Sequence, residues 1–245
     1  MILEVRELKK YFPIASGIFR FGAELVRAVD GVSFSLAQRD VLGIVGESGC
    51  GKTTLAKLIL KLLEPTSGEI IFSPLIQKFR KEVGIVFQDP LLSLDPRMRV
   101  KDILLEPLMV WGLQNSDCQL AELLDLVGLN KNILRRFPAQ LSGGQRQRVC
   151  IARSLASQPR ILVLDEPLSS LDLITQKQIL ELLLKLKEER GLTYIFISHN
   201  IAVVKKIASR VMVMFEGRLV EEGSNPEVFL RPQSGYTKKL LEAAG

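Results

Sequence analysis

The sequence lacks the features of a secreted or membrane-spanning protein. It has three cysteines, at positions 50, 118 and 150, without metal-ligand spacing, and a single histidine. No apolar run approaches the roughly 18 residues that a transmembrane helix needs. The opening segment MILEVRELKK is charged within four residues and lacks the apolar core of a secretory signal. These absences argue against a disulfide framework and a histidine-rich metal centre, and they predict a cytosolic chain with reduced thiols.

The charge balance of the chain is weakly informative. Its 33 basic and 27 acidic residues give a net charge of +6, which is compatible with nucleic acid, an anionic membrane surface or no specific partner. The basic residues are scattered, and the densest groups, KFRKE and LRRF, have little aromatic interleaving. We interpret these groups as solvated surface and expect no nucleic-acid partner.

Strand-like patterns begin and end the chain, and helical patterns occupy its middle. The alternation in VSFSL and the apolar run VLGIVG predict strands, and TLAKLILKLL then predicts a helix. GEIIF and VGIVFQ are strand-like again, whereas three segments between about 98 and 158 predict helices with no convincing strand between them. The last third returns to strands and helices and contains a hairpin that turns at Glu216-Gly217.

The segment GESGCGKTT has the composition of a phosphate-binding loop. Gly46, Gly51, Lys52 and Thr53 fit G-x-x-x-x-G-K-[ST], with an apolar strand before them and a helix after them. Glycines let successive N–H groups face one anion, Lys52 would reach the β- and γ-phosphates, and Thr53 would bind Mg²⁺. The alternative is a glycine-rich turn with an exposed lysine, which the flanking strand and helix disfavour. The predicted nucleotide-binding residues in this loop are Gly46, Glu47, Ser48, Gly49, Cys50, Gly51, Lys52, Thr53 and Thr54.

Two carboxylates follow a second apolar strand in RILVLDEP. A buried parallel strand directs the side chains at its carboxyl end towards the crevice where ligands bind. Asp165 would bind Mg²⁺ there through water, and Glu166 could act as general base towards the attacking water. A simple polar turn is the alternative for an isolated Asp-Glu-Pro, and the phosphate-binding loop about 110 residues earlier disfavours it.

A second glycine-rich segment, LSGGQ, offers further N–H groups and a hydroxyl at a predicted helix start. With these motifs the chain resembles an ATP-binding cassette (ABC) ATPase over essentially its whole length. The resemblance implies an α/β fold, a P-loop NTPase ABC cassette with an N-terminal antiparallel β region and an inserted α-helical subdomain. It implies a single nucleotide-binding domain over 1–245, with the core at 1–88 and 159–245 and the helical subdomain at about 89–158.

The family's signature loop closes over the ATP that is bound to the opposite subunit, so that two cassettes enclose two ATP molecules. The resemblance therefore implies that Ser142, Gly143 and Gly144 contact the γ-phosphate in trans, with Gln145 closing the motif. It also implies that Asp172 in SSLD lies on a loop between the subunits.

Other family motifs imply further site residues. Gln88 in VFQDP matches the glutamine that approaches Mg²⁺ and the attacking water, and His199 in FISHN matches the switch histidine at the γ-phosphate. Tyr11 matches the aromatic residue that stacks on adenine; Phe12 is the rival, and a buried core aromatic is the alternative for either. The implied catalytic residues are Glu166, His199 and Gln88, and the implied Mg²⁺ ligands are Thr53, Gln88 and Asp165.

Several longer segments narrow the resemblance to importers of peptides and nickel: RAVDGVSF, GESGCGKTT, FQDPLLSLDPRM, LTYIFISHNIAVV and GYTKKLLEAAG. It implies a second ABC ATPase, either another copy or a related paralogue, two transmembrane permease subunits, and indirectly an extracytoplasmic substrate-binding protein. The expected location is peripheral, on the cytoplasmic face of the cell membrane. The chain departs from the pattern in four places. Asn200 stands where aspartate is usual, Ser170 stands where alanine is common, and the segment between GEIIF and KEVGIVFQ is shorter than usual. The sequence also stops at GYTKKLLEAAG, where many relatives continue. These departures leave the ATPase chemistry intact and weaken the assignment to peptides.

Two alternative functions remain open from the sequence. One is export, such as antibiotic or lipid efflux, by an ABC exporter ATPase. The other is a soluble ABC ATPase that acts on DNA or ribosomes. Repair ATPases carry a long coiled coil between the phosphate loop and the signature, whereas about 90 residues separate these motifs here. Ribosome-acting members usually carry two cassettes, and this chain has one, which favours a membrane partner.

Overall fold

The structure is a computed structural model that describes residues 1–13, 25–113 and 117–243. The chain divides into two compact units, one formed by Met1–Leu75 with Phe196–Gly245 and the other by Ile76–Ile195. None of the helices in the three described ranges has the length and apolar composition to cross a membrane.

The first unit contains an antiparallel three-stranded sheet with the order β2-β1-β4. Its strands are β1 (Leu3–Pro13), β2 (Leu25–Leu36) and β4 (Ser67–Phe72). The alternating Val32, Phe34 and Leu36 of β2 are all buried, as a period of two residues requires for one face of a sheet. The predicted N-terminal antiparallel β region is confirmed.

The phosphate-binding loop of the same unit lies between a buried strand and a helix. β3 (Val41–Val45) is buried at every position and pairs in parallel with β8 (Arg210–Phe215). After the loop, α1 (Lys52–Ile59) begins. β8 forms an antiparallel hairpin with β9 (Arg218–Ser224), and the two turn residues have φ of 47° and 78°, which confirms the predicted turn at Glu216-Gly217. The remaining helices of this unit are α8 (Ile201–Ile207), α9 (Asn225–Leu230) and α10 (Gly235–Glu242).

The second unit combines parallel strands with most of the helices. β5 (Val83–Val86) pairs in parallel with β6 (Ile161–Asp165). The next neighbour of β6 is β7 (Thr193–Ile197), whose residues 193–195 belong to this unit. β6 is buried at all five positions, which explains its unbroken apolar sequence. The helices are α2 (Phe79–Glu82), α3 (Pro90–Ser93), α4 (Val100–Val110), α5 (Asp117–Leu126), α6 (Gly143–Leu155) and α7 (Leu173–Arg190), with 3-10 turns at Lys131–Arg135 and Pro138–Gln140.

The helical insertion lies between two neighbouring strands. Helices α3 to α6 all occur in the sequence between β5 and β6, which pair with each other. The described residues between 98 and 158 contain no strand, as the sequence predicts. The α/β fold with an N-terminal antiparallel region and an inserted helical region is therefore confirmed. The subdomain limits at 89 and 158 stay a prediction.

Candidate nucleotide site

The phosphate-binding loop wraps around the ammonium group of Lys52. Its Nζ donates hydrogen bonds to the backbone carbonyl oxygens of Gly46 and Glu47, each at 2.8 Å, and lies 3.8 Å from the Sγ of Cys50. The lysine is only 5% exposed. A positive charge is thus held at the centre of the loop. An anionic group that enters the loop could replace the carbonyl oxygens as the hydrogen-bond acceptors of Lys52.

Two glycines of the loop leave no space for a side chain. A Cβ atom on Gly46 would lie 2.2 Å from the carbonyl oxygen of Met214. One on Gly51, whose φ is +108°, would lie 2.0 Å from the carbonyl oxygen of Ala28. Gly51 directly precedes α1, so the close approach sets where the N–H groups at the helix start are placed. A helix N-terminus with a buried cation beside it fits the phosphates of a nucleotide.

The hairpin turn between β8 and β9 braces this loop. The N–H of Gly217 donates to the carbonyl oxygen of Cys50 at 3.0 Å, and the carbonyl oxygen of Gly217 accepts from the N–H of Asp30 at 2.8 Å. The sequence predicts the turn, but it contains no local signal for this contact with residues far away in the chain. The hairpin is therefore part of the support of the loop.

Strand β6 delivers the two predicted carboxylates. Asp165 is buried at its end, and the next residue, Glu166, is half-buried. The Nε2 of Gln88 lies 3.5 Å from the Oε2 of Glu166, so the structure brings these two predicted catalytic residues together. Glu166 has a φ of 47°, in the left-handed region that residues other than glycine rarely adopt. A glutamate before proline gives no sequence signal for that conformation.

The signature residues form the start of helix α6. Ser142 caps the helix, since its Oγ accepts a hydrogen bond from the N–H of Gln145 at 3.2 Å. In return the Oε1 of Gln145 accepts from the N–H of Ser142 at 3.1 Å. This reciprocal capping box gives Gln145, the last residue of LSGGQ, a structural role at the start of the helix. The N–H groups of Gly143 and Gly144 belong to the first helical turn, which has no intrahelical acceptor for them.

Asp172 caps helix α7. Its Oδ1 accepts from the N–H groups of Ile174 and Thr175 at 3.1 and 3.0 Å, and its Oδ2 accepts from the hydroxyl of Thr175 at 2.7 Å. The hydrogen bonds from Thr175 lower the pKa of this carboxyl below its ordinary value, so it stays ionised. A contact of Asp172 between subunits remains a prediction beside this local role.

His199 follows strand β7 and is exposed. The residue before it, Ser198, is tied to β3 because its N–H donates to the carbonyl oxygen of Ile44 at 3.1 Å. The residue after it, Asn200, caps α8 by accepting the N–H of Val203 at 3.3 Å. Asparagine and aspartate are about equally good at this capping position. The departure from the family pattern at Asn200 therefore keeps the structural function of the residue.

Tyr11 and Phe12 are both half-buried, so the alternative of a buried core aromatic is wrong for either residue. The hydroxyl of Tyr11 donates to the carboxylate of Asp30, and that hydrogen bond raises the pKa of the tyrosine and lowers that of the aspartate. The guanidinium of Arg27 lies 5.7 Å from the centroid of the Tyr11 ring. The Nη2 of Arg218 is 2.8 Å from the same aspartate. No motif in the sequence indicates this role of Asp30.

The predicted site residues divide between the two units. Tyr11, the phosphate-binding loop and His199 belong to the first unit, whereas the signature, Asp172, Gln88 and the two carboxylates after β6 belong to the second. Their roles at a nucleotide stay predictions.

Comparison with known proteins identifies the family. Residues 29–169 match the family model described as ABC transporter. The chain is 43% identical over 255 residues to the oligopeptide transport ATP-binding protein AppF of Bacillus subtilis, with 99% of this chain and 78% of the relative covered. It is 46% identical over 255 residues to the oligopeptide transport ATP-binding protein OppD of Mycobacterium tuberculosis, again over 99% of the chain. It spans only 42% of the length of that relative.

A solved structure supports the same relationship. The cassette MJ0796, described as a dimeric structure of a post-hydrolysis state bound to ADP and Pi, superimposes with a TM-score of 0.76 and 28% sequence identity. The match covers 91% of this chain and 99% of that one. The chain therefore belongs to the ABC transporter family and is one of its ATP-hydrolysing cassettes.

Proposed function

We propose that this chain is the motor subunit of a membrane importer of peptides, which it drives by binding and hydrolysing MgATP. The supporting observation is the phosphate-binding loop closed around Lys52, in a chain whose relatives have oligopeptide transport names. Those names favour peptides over nickel as the substrate. They also favour transport over action on DNA or ribosomes, and the longer segments that resemble importers favour import over export.

Lys52 would bind the β- and γ-phosphates of ATP, and Thr53, Gln88 and Asp165 would hold Mg²⁺. Within 1–13, 25–113 and 117–243, no group of three or more His, Cys, Asp or Glu residues could hold a metal ion by itself. The proposed ligands, a hydroxyl, an amide and one carboxylate, fit Mg²⁺, which is usually bound by one or two carboxylates together with substrate phosphates. Bound Mg²⁺ would supply charge neutralisation at the phosphate oxygens.

Glu166 would act as the general base of hydrolysis. A carboxylate next to the metal-binding aspartate can take the proton of the attacking water, and the nearby amide of Gln88 can help to orient that water. Half-burial of Glu166 limits competing solvent around the carboxylate. The unusual backbone conformation of this residue fixes where its side chain points, as is common at active sites.

The working assembly would contain two cassettes, with each signature at the nucleotide of the other. The N-terminus of α6 is suited to an anion, and Ser142 beside it is exposed. Directly after Asp172, Leu173 and Ile174 are 80% and 73% exposed, which is unusual for two adjacent large apolar residues. A contact with a second cassette would cover them, and the solved MJ0796 cassette is itself dimeric.

Tyr11 would stack on the adenine ring. We expect Tyr11→Ala to weaken MgATP binding by about 1–3 kcal/mol, because that is the usual contribution of base stacking on an aromatic side chain. Phe12→Ala should mainly lower the free energy of unfolding. Titration with MgATP and thermal unfolding of both variants measure these effects. Tyr11→Phe is the matched control, since it keeps the ring and removes only the hydrogen bond to Asp30. The opposite pair of phenotypes would transfer the stacking role to Phe12.

Helix α3 is the proposed docking point for the permease subunits, which would place the chain peripherally at the membrane. Leu91 and Leu92 on this helix are 52% and 87% exposed. The guanidinium of Arg153, on the signature helix α6, donates to the carbonyl oxygen of Ser93 at 2.6 Å. A displacement of α3 by a bound permease would therefore be transmitted to α6, the helix that begins with the signature.

Peptide uptake tests this function. Cells that express the chain with its permeases and substrate-binding protein should take up a labelled peptide. We expect Leu92→Asp to abolish this uptake, because a charge disrupts the apolar contact. The isolated Leu92→Asp subunit should keep its basal ATPase rate. Leu230→Asp is the matched control, since Leu230 is 77% exposed on α9 and should tolerate the charge. Normal uptake by Leu92→Asp would contradict this docking surface. A wild-type complex that imports no peptide would contradict the proposed substrate class.

A further inference from the structure

Helix α10 reaches the phosphate-binding loop through one side chain. The hydroxyl oxygen of Tyr236 accepts a hydrogen bond from the backbone N–H of Glu47 at 3.3 Å, across 189 positions of sequence. Glu47 is the second residue of the loop and is itself exposed. Burial raises the pKa of the Tyr236 hydroxyl above its ordinary value, so it stays neutral.

The Tyr236 ring is fixed by its neighbours. It packs against the ring of Phe215 with a centroid distance of 4.2 Å and an interplanar angle of 35°. Phe215 is the last residue of β8, and the turn that follows donates the N–H of Gly217 to Cys50. The exposed part of the loop, residues 47–49, is therefore held at both ends, by Tyr236 at one and by Gly217 at the other.

Strand β9 fixes the start of helix α10. The carboxylate of Glu221 accepts from the N–H groups of Gln233 and Ser234 at 2.7 and 3.0 Å. The Oγ of Ser234 in turn accepts from the N–H of Tyr236 at 3.2 Å and caps the helix. Three hydrogen bonds therefore fix the start of the helix that carries Tyr236.

We infer that Tyr236 is a positioning residue of the nucleotide site, which holds the beginning of the phosphate-binding loop in its binding conformation before ATP arrives. The inference rests on the proposed role of this loop in phosphate binding. A glycine-rich segment loses conformational entropy when it is ordered, and order that exists before binding does not have to be established by the ligand. Tyr236 acts on the loop through Glu47, whose N–H it accepts and whose side chain also interacts with the hydroxyl. It therefore favours one conformation of the loop as a positioning residue.

The test compares Tyr236→Phe with Tyr194→Phe in the full chain. Tyr236→Phe keeps the ring on Phe215 and removes the acceptor of the Glu47 N–H. Tyr194→Phe removes a hydroxyl that donates to the carbonyl oxygen of Leu183 at 2.9 Å in the other unit, and so reports the effect of losing a structural hydrogen bond. We expect MgATP to bind Tyr236→Phe about 3- to 10-fold more weakly, the usual effect of one hydrogen bond. KM should rise by a similar factor with kcat unchanged, since the loss occurs in binding.

Tyr194→Phe should lower the midpoint of thermal unfolding at least as much as Tyr236→Phe does and leave the affinity for MgATP unchanged. Phe215→Leu, which removes the ring that supports Tyr236, should weaken MgATP binding in the same direction. Wild-type affinity in Tyr236→Phe, or an equal loss of affinity in Tyr194→Phe, would overturn the positioning role alone. Absence of MgATP binding by the wild-type chain would instead overturn the proposed function.

Discussion

Replacing Glu166 with glutamine is expected to reduce ATP turnover by about 10²- to 10⁴-fold while ATP still binds, because the variant keeps the shape of the side chain and removes the proton acceptor. The amide of Gln88, 3.5 Å away, can still contact the carbonyl oxygen of the new side chain, so the local packing should survive. Steady-state phosphate release measures the turnover, and titration with MgATP measures the binding.

Glu181→Gln is the matched control for this change. Glu181 lies on the exposed side of α7, where its carboxylate is 3.9 Å from the Nζ of Lys177. Exposed ion pairs of this kind contribute little to stability, so the control should hydrolyse ATP at the wild-type rate. Near wild-type turnover in Glu166→Gln would remove Glu166 from the role of general base.

Complementation between two disabled copies is the second large effect. Lys52→Ala removes the cation at the centre of the phosphate-binding loop, and Gly143→Asp places a carboxylate at the signature, where it repels the γ-phosphate. Two linked copies that both carry Lys52→Ala, or both Gly143→Asp, should show only background ATPase. A linked pair with Lys52→Ala in one copy and Gly143→Asp in the other should recover activity. In the trans arrangement the altered loop of the first copy and the altered signature of the second belong to the same site, so the other site is intact.

The choice of Gly143 follows from the local packing of the signature. A Cβ atom on Gly144 would lie 2.7 Å from the Cγ2 of Thr175, whose hydroxyl is bonded to Asp172. A substitution there would disturb the cap of α7 together with the signature. A Cβ on Gly143 meets only the Cδ2 of Leu171 at 3.4 Å, an ordinary contact. The variant at Gly143 therefore changes charge at the signature with little effect on packing.

A linked pair of one wild-type copy and one double variant supplies the converse result. In the trans arrangement each of its two sites contains a lesion, so it should be inactive; in a cis arrangement one site would be whole. Two results together would refute the exchange of signatures between cassettes: ATPase activity of the pair of wild-type copy and double variant, and no activity of the pair with Lys52→Ala in one copy and Gly143→Asp in the other. A linked pair of two wild-type copies sets the reference rate.

Local patterns in the sequence were sufficient for much of the fold and for the chemical groups of the site. The strand, glycine-rich loop and helix around Lys52 are adjacent in sequence, so the motif and its context could be recognised together. Strand β6 was predictable because burial on both faces gives an unbroken apolar run that ends at Asp165. The turn at Glu216-Gly217 was predictable because glycine favours positive φ.

The support of the site could not be predicted, because it depends on residues that are distant in sequence. Tyr236 reaches Glu47 across 189 positions, and Asp30 connects Tyr11 with Arg218 through side chains that belong to no motif. Helix α8 and the helices after it are short, and a helix of two turns gives too few repeats for its periodicity to be recognised. Contacts of this kind are visible only in the folded chain.

The proposed role of Glu166 places ATP turnover in conflict with thermal stability at this position. An L-residue in the left-handed conformation costs about 1–2 kcal/mol relative to the right-handed helical one, and glycine avoids most of that cost. A screen that selects only for heat resistance would therefore favour glycine at this position and discard the carboxylate. Selection for ATP turnover works in the opposite direction. If Glu166 is the proposed general base, a stabilised version of this cassette has to be sought elsewhere in the chain, because the residue that relieves the backbone at position 166 removes the base.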